Sequence, residues 1–409
     1  MPLSHRTQTY LIAAGEHSGD LLGADLVAAL RERLPRHQAF GIAGAAMTKA
    51  KVSPIASIAE LSVMGVGEVL AKIGQLRMLE SRILAYVDRM HPSFAVLIDN
   101  PGFNLRLAEQ LTMRRIPVFQ YVAPKLWAWG ANRVEKLQRD VDTVLGILPF
   151  EEEFFRTRGV NYQYVGSPLK DRISKVVVRR DSFGVAAHKK ILACLPGSRN
   201  SEILLNLPTI LRLHQTLKAQ LPDALFVIPV APNIPMPLVA DVVRSYMGQE
   251  LNLAPVKSGG DIQVESWQLE NIRFVRGMSL EIMAIADAAV VASGTATLEC
   301  ALLGTPMVVV YTMSSLSYEI ARRMVHLPYV SLVNLIAGRR VVAEFIQEFS
   351  IHDVAASVSS LLTNSERNQE MRFLFEDIRN KLQGMAAQNA ADIIAPRFPE
   401  IPKAVVKPA

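Results

Sequence analysis

The sequence predicts an α/β protein of two domains, each a parallel sheet with helices on both faces. Three observations carry that prediction. Short apolar runs alternate with segments of helical period, which calls for parallel strands joined by helical crossovers. The alternation pauses near Ser167 and restarts at Ile191, and 409 residues are too many for one core. Polar, glycine-containing turns close several of the apolar runs, at the strand ends where such sheets bind ligands.

The first alternating run opens with a strand at 10–14 that ends in Gly15-Glu16-His17-Ser18-Gly19-Asp20. A helix follows over about 21–34, with Leu22, Leu26, Ala29 and Leu30 at helical spacing. Further strands are expected at 40–43, 94–98, 116–122, 143–148 and 162–165. The one at 94–98 ends in Asp99-Asn100-Pro101-Gly102-Phe103-Asn104. Between 59 and 86 no strand is expected. There Val66, Val69, Leu70, Ile73, Leu76, Leu79 and Ile83 form one helical stripe. Such a stripe commonly packs on a sheet. The apolar, flexible Val63-Met64-Gly65-Val66-Gly67 before it also suits a lip that touches lipid, and both readings stand.

A basic, weakly apolar stretch from 168 to 190 is the expected linker. Strands then follow at 191–195, 225–230, 272–275, 289–292 and 307–310, with a helix at 202–220. The first of these strands ends in Pro196-Gly197-Ser198-Arg199. The fourth ends in Ser293-Gly294-Thr295 and feeds a short helix through Glu299 that stops at Gly304. A helix beginning there presents free N–H groups and a positive dipole end, a ready place for phosphate, with Glu299 in reach of a sugar hydroxyl. An ordinary strand-turn-helix unit explains the stretch equally well. Residues 365–394 read as helical, and Pro396, Pro399, Pro402 and Pro408 mark a disordered tail.

Composition narrows the function. Half of the residues are hydrophobic and a fifth charged, the balance of a folded soluble chain. No window has the apolar length of a spanning helix, and residues 1–9 lack the core of a secretory signal. Cys194 and Cys300 are expected as buried free thiols in a reducing compartment. No cluster has metal-ligand spacing, so neither a metal nor another cofactor is expected. The net charge of +6 fits an anionic partner. Basic pairs such as Arg114–Arg115 and Arg339–Arg340 are not interleaved with aromatics, which argues against a nucleic-acid groove.

Several polar residues suit chemistry. Asp99, at the end of a buried strand, is placed to be partly desolvated and to act as a general base; a turn or cap aspartate would look the same. Asn100 and Asn104 suit substrate hydroxyls. Glu16, Ser18 and Asp20 form the matching set after the first strand, where Ser18 or Asp20 could instead cap the helix. Arg199 can clamp a diphosphate bidentately beside helix N–H groups, or it can pair with Glu202 on the surface. No Ser sits in a nucleophile elbow, and Gly15-Glu16-His17-Ser18-Gly19 lacks dinucleotide-type glycine spacing.

These motifs together resemble the lipid-A-disaccharide synthases, inverting glycosyltransferases of the GT-B architecture. The carriers are AGEHSGDLLGADL (14–26), VMGVGEVL (63–70), IDNPGFN (98–104), YVAPKLWAWG (121–130), LPFEEEFF (148–155), YVGSPL (164–169), LPGSRNSEI (195–203), SGTATLE (293–299) and YVSLVNLIAG (329–338). The resemblance runs from about Tyr10 to Ile394. It implies two Rossmann-like parallel-sheet domains facing a cleft, with a C-terminal helix returning to the N-terminal domain. Residues 1–168 would form the acceptor and membrane-facing domain, 169–364 the UDP-sugar domain, 365–395 the crossover helices and 396–409 the tail.

The implied reaction moves a 2,3-diacylglucosamine unit from UDP onto 2,3-diacylglucosamine 1-phosphate (lipid X), giving a β(1→6) disaccharide 1-phosphate and UDP. Asp99 would be the base. Ser198, Arg199 and the turn Ser293, Gly294, Thr295 would hold the diphosphate in place of a metal, with Glu202 beside them. Glu299 would bind ribose, Asn334 and Gln347 would line the donor pocket, and Glu16 and Ser18 would contact substrate on the acceptor side. Val63, Met64, Val66, Val69, Leu70, Ile73 and Leu76 would meet acyl chains at the inner membrane, making the enzyme cytoplasmic and peripheral. A homodimer is left open. The family often carries a basic residue where this chain has Thr312.

Overall fold

The computed structural model describes residues 8–62, 69–128, 130, 133–186, 188–252, 254, 256–257, 265–324 and 327–399. The chain divides into two compact units, 1–168 with 383–409, and 169–382.

Among the described residues the first unit is built on seven strands: β1 (Gln8–Ala14), β2 (His37–Ala43), β3 (Ser53–Ser57), β4 (Ala95–Ile98), β5 (Val118–Tyr121), β6 (Thr143–Gly146) and β7 (Tyr162–Tyr164). They lie in the order β3-β2-β1-β4-β5-β6-β7, and every pair is parallel. Strand period explains the core. Tyr10, Ile12 and Ala14 of β1 enter one apolar cluster, Leu11 and Ala13 the other. The two clusters lie on opposite faces of the sheet, so its central strands are apolar on both sides.

The helix Val69–Met90 settles part of the stripe's two readings. Leu79, Ile83 and Val87 are buried in the core and Leu76 packs half-buried against it, so this portion is core. The polar side of the same helix is ion-paired, Glu80 with Arg106 and Arg82 with Glu60 at 2.6 Å. Val63, Met64 and Val66 lie outside the described residues, as do the side chains of Val69, Leu70 and Ile73.

The chain returns to the first unit at its end. The helix Ala386–Ile394 buries Ala387, Ala390, Ala391 and Ile394 beside Leu26, Val27 and Leu30 of the helix His17–Arg33. The preceding helix, Ser365–Lys381, belongs to the second unit. Residues 395–397 form a 3-10 turn and the Phe398 ring stacks on Phe94 at 4.5 Å. The expected disordered tail therefore does not begin at 396, because an aromatic ring there finds a buried partner.

The second unit carries β8 (Lys190–Leu195), β9 (Ala224–Val230), β10 (Val256–Lys257), β11 (Glu265–Leu269), β12 (Ile272–Arg276), β13 (Ala288–Ala292), β14 (Met307–Tyr311) and β15 (Ala343–Ile346). Their order is β10-β11-β12-β9-β8-β13-β14-β15, parallel except for the β10–β11 and β11–β12 pairs. Cys194 and Cys300 are buried free thiols. No helix among the described residues is long and apolar enough to cross a membrane.

Candidate active site

Each sheet has one place where the strand order reverses direction, and there the loops leaving two neighbouring strands part and leave a crevice. In the first unit this falls between β1 and β4, whose last residues Ala14 and Ile98 are in register. The following loops are Gly15–Glu16 and Asp99–Asn100. They approach so closely that a Cβ on Gly15 would run into the Asn100 side chain, so position 15 has to be glycine. The two acidic loops thus meet at one sheet edge.

Asp99 and Asn100 both lie in the left-handed region, with φ of 50° and 42°. This conformation is unfavourable for residues with a Cβ, and it is held by hydrogen bonds. The Asp99 carbonyl accepts from Asn104 Nδ2 at 2.6 Å and Gln120 Nε2 at 3.2 Å, while its N–H donates to Tyr121 O at 2.9 Å. Pro101 then starts the helix Pro101–Met113, its fixed φ suiting a first helical residue. Asp99 is half-buried, and no hydrogen bond among the described residues engages its carboxylate. Asn104 is buried, and its amide is spent on Ile98 O and Asp99 O. It shapes the turn and offers a substrate no free donor.

Glu16 and Ser18 are exposed at the start of the helix His17–Arg33, and no side chain caps that helix. Asp20 turns inward instead. Its carboxylate accepts from the N–H groups of Gly44, Ala46 and Met47 at 2.7–3.1 Å, fastening the start of the next helix.

In the second unit the reversal falls between β8 and β13, where Leu195 and Val291 are in register. Pro196-Gly197-Ser198-Arg199 and Ser293-Gly294-Thr295 follow these strands, so the sheet brings the two expected phosphate loops to one edge. Glu202 folds back on the first. Its Oε2 accepts from Ser198 N at 2.7 Å and Arg199 N at 3.2 Å, and its Oε1 pairs with Arg199 Nη1 at 3.3 Å. Gly197, with φ of 117°, makes room for it. Glu202 therefore builds the loop, while Arg199 stands 72% exposed beside it.

The helix Thr295–Leu303 has no side-chain cap. Thr297 bonds back to Gly294 O through both N–H and hydroxyl, and Ser293 Oγ lies 3.5 Å from Val330 O. Glu299, one turn in, is 3.7 Å from Arg172. Burial pushes its carboxyl above the usual carboxylate range, and Arg172 opposes the shift.

The fold engages the two expected donor-pocket residues to different extents, Asn334 through its whole amide and Gln347 through Oε1. Asn334 is fully buried; its Oδ1 accepts from Val341 N and Val342 N, and its Nδ2 donates to Val342 O and Glu344 Oε1. No atom of its amide is left to line a pocket. Gln347 Oε1 accepts from Met313 N at 3.1 Å, and Asn206 Oδ1 accepts from Thr312 N at 2.8 Å, so both brace the turn after β14. The Thr312 side chain leaves this turn without a basic group. Among the described residues no three His, Cys, Asp or Glu side chains are grouped to hold a metal ion.

Sequence reasoning missed Gln120 and Glu151. Gln120 is a buried amide in the middle of an apolar central strand, and that contrast is a usable signal. Glu151 is buried behind the segment after β5, where it accepts from Trp127 Nε1 at 2.8 Å and lies 3.0 Å from Tyr162 Oη. Burial raises its pKa to about 7, against the hydrogen bonds from Trp127 and Tyr162 and the charge of Lys125. In LPFEEEFF nothing distinguishes it from its two acidic neighbours.

Two such sheets with polar loops at both switch points define the GT-B class, to which nucleotide-sugar glycosyltransferases and epimerases belong. The UDP-GlcNAc 2-epimerase from Neisseria meningitidis, solved with UDP-GlcNAc bound, superposes with a TM-score of 0.62 over 95% of this chain and 99% of its own. At 14% identity that likeness speaks for the fold alone.

Sequence is more specific. The family model described as lipid-A-disaccharide synthetase matches residues 10–397. The lipid-A-disaccharide synthase of Myxococcus xanthus (strain DK1622) is 36% identical over 394 residues, 95% of this chain and 97% of its own. That of Anaeromyxobacter sp. (strain K) is 38% identical over 383 residues, covering 92% and 94%. The chain belongs to the lipid-A-disaccharide synthetase family and is a glycosyltransferase.

Proposed function

We propose that the chain condenses UDP-2,3-diacylglucosamine with lipid X, giving the β(1→6) lipid A disaccharide 1-phosphate and UDP. In this reading Asp99 removes the proton of the acceptor 6-hydroxyl as that oxygen attacks the anomeric carbon. The bond from that carbon to the diphosphate oxygen breaks on the opposite face, the electron pair leaves with UDP, and the centre inverts. Arg199 and the uncapped helix at Thr295 meet the diphosphate charge, so no metal is required. Glu299 takes a ribose hydroxyl, and Glu16 and Ser18 contact the acceptor.

The observation that carries the reading is Asp99: its backbone is gripped from within, and its carboxylate is not spent on that grip. The membrane reading is supported by the helix Val69–Met90, which leaves Met78, Tyr86 and Met90 exposed among basic residues. It makes the enzyme a peripheral protein on the cytoplasmic side of the inner membrane.

The test is turnover of both substrates in detergent, with and without EDTA. Equal disaccharide and UDP in both conditions is expected. Product lost with EDTA would overturn the metal-free diphosphate site. No product from folded, UDP-binding protein would overturn the acceptor assignment and favour a related transferase.

A further inference from the structure

At the ends of the central strands β4 and β5 the backbone turns left-handed in both loops, at Asp99 (φ 50°) and at Val122 (φ 69°). A β-branched residue such as Val122 is seldom found there. One side chain joins the two. Gln120 is 1% exposed, and its Nε2 donates to Asp99 O and to Val122 O, both at 3.2 Å. With both amide hydrogens on carbonyls, its orientation is fixed. Its Oε1 is buried with no hydrogen-bond partner among the described residues.

A buried acceptor left unmet is costly. An apolar side chain of the same length would avoid that cost and fill the same space. The gain that offsets it is local: two strained carbonyls are satisfied by a single group. Asn104 supplies the second donor to Asp99 O. Asp99 N is held by Tyr121 O at 2.9 Å, and Val122 N by Leu145 O at 3.0 Å. The Asp99 peptide is therefore fixed at both ends, and the direction of its Cα–Cβ bond with it.

We infer that Gln120 is a positioning residue for the transfer reaction: its amide clamps the left-handed turns after β4 and β5 and so aims the Asp99 carboxylate at the acceptor hydroxyl. The inference rests on Asp99 being the base. Gln120 touches no substrate. Its effect is transmitted through Asp99, so removing it costs turnover only while Asp99 is present to be aimed.

The experiment is a double-mutant cycle on the full chain, with Gln120→Met, Asp99→Asn and the double variant. Steady-state kinetics for both substrates, UDP affinity and thermal unfolding are measured for each. Gln120→Met should lower kcat by about a hundredfold, the scale of a misplacement near 1 Å. KM for either substrate should change by less than about threefold and UDP affinity not at all, because the loss lies in the transition state. In the Asp99→Asn background the same change should cost nothing further. A fall in kcat with KM and UDP affinity kept, and absent in the Asp99→Asn background, is a split that loss of folded protein alone would not cause. If Gln120→Met does not fold, Gln120→Asn carries the test, since it keeps the amide but is too short to reach both carbonyls.

Unchanged kcat in the Gln120 variant, or an equal fold loss in both backgrounds, would overturn the positioning role. Full turnover by Asp99→Asn would instead overturn the base assignment, whatever the Gln120 variants do.

Discussion

Asn334 donates from Nδ2 to Glu344 Oε1 at 2.8 Å, and Glu344 in turn accepts from the N–H groups of Val330 and Ser331 at 3.0 and 2.8 Å. The pair staples the 330–344 segment from inside. Replacing Asn334 with Ala leaves the N–H groups of Val341 and Val342 without their acceptor. Each such loss costs about 1–3 kcal/mol, so urea unfolding should show a destabilisation on the order of 3 kcal/mol. Wild-type stability with lost UDP binding would make Asn334 a ligand contact after all.

Arg199 should behave in the opposite way. It is exposed and paired only with its own loop's Glu202 among the described residues, so Arg199→Ala should change stability by less than about 1 kcal/mol. UDP affinity should fall by about tenfold or more, the weight of one charge-assisted pair. Lysine should restore only part of it, because a point charge cannot bridge two phosphate oxygens. Calorimetric titration of the wild type and both variants with UDP checks this, and unaltered affinity in Arg199→Ala would remove this residue from the site.

Glu151 gives the first unit a pH dependence. Tyr162 Oη lies 2.8 Å from Leu148 O and 3.0 Å from Glu151 Oε2, yet it has one hydrogen to give. A protonated Glu151 resolves the count: it donates to Tyr162, which donates to Leu148 O, while Trp127 donates to the other carboxyl oxygen. With a folded pKa of about 7 against an unfolded value of 4.5, the folded state holds more protons between these values. Stability from this group is thus full below about pH 4.5, declines as pH rises, and is gone above about pH 7. At about 1.4 kcal/mol per unit the loss is on the order of 3 kcal/mol. Glu151→Gln, neutral throughout, should match the wild type near pH 4.5 and exceed it at pH 8 in urea unfolding. Parallel curves for the two proteins would contradict this.

The helix Val69–Met90 separates core from surface. Ile83→Ala, at a fully buried position, should cost about 2–4 kcal/mol. Met78→Ser and Met90→Ser should cost little stability and should weaken binding to anionic phospholipid vesicles, measured by flotation. Vesicle binding unaffected by either serine would remove this helix from the membrane contact.

The sequence made the interior of both sheets legible and their margins less so. β3, β10, β11 and β15 went unexpected, and they lie at or next to sheet edges. There a strand is covered less completely and loses the continuous apolar run that marks β1, β4, β8 or β13. Ser53–Ser57 even contains a proline, which an edge tolerates. At the site, the loops were legible because glycine, proline and acidic residues cluster after buried strands. Which polar side chains face inward was not. Asn104, Glu202 and Asn334 look in sequence like Asn100, Glu16 or Ser198, and only the backbone path turns them toward carbonyls and N–H groups. Strand order, which brings Gly15 to Asn100 and Ser198's loop beside Ser293's, has no local signal at all.

The central claim is that Asp99 is the base of an inverting transfer, and its carboxamide isostere tests it most directly. Asp99→Asn keeps the shape of the turn and the carbonyl contacts with Asn104 and Gln120, and removes the proton acceptor. Loss of general-base catalysis is worth about 10²–10⁴ in rate. Turnover should therefore fall by that factor with UDP affinity and thermal stability unchanged. Turnover within about threefold of wild type, from protein that binds UDP normally, would contradict the account.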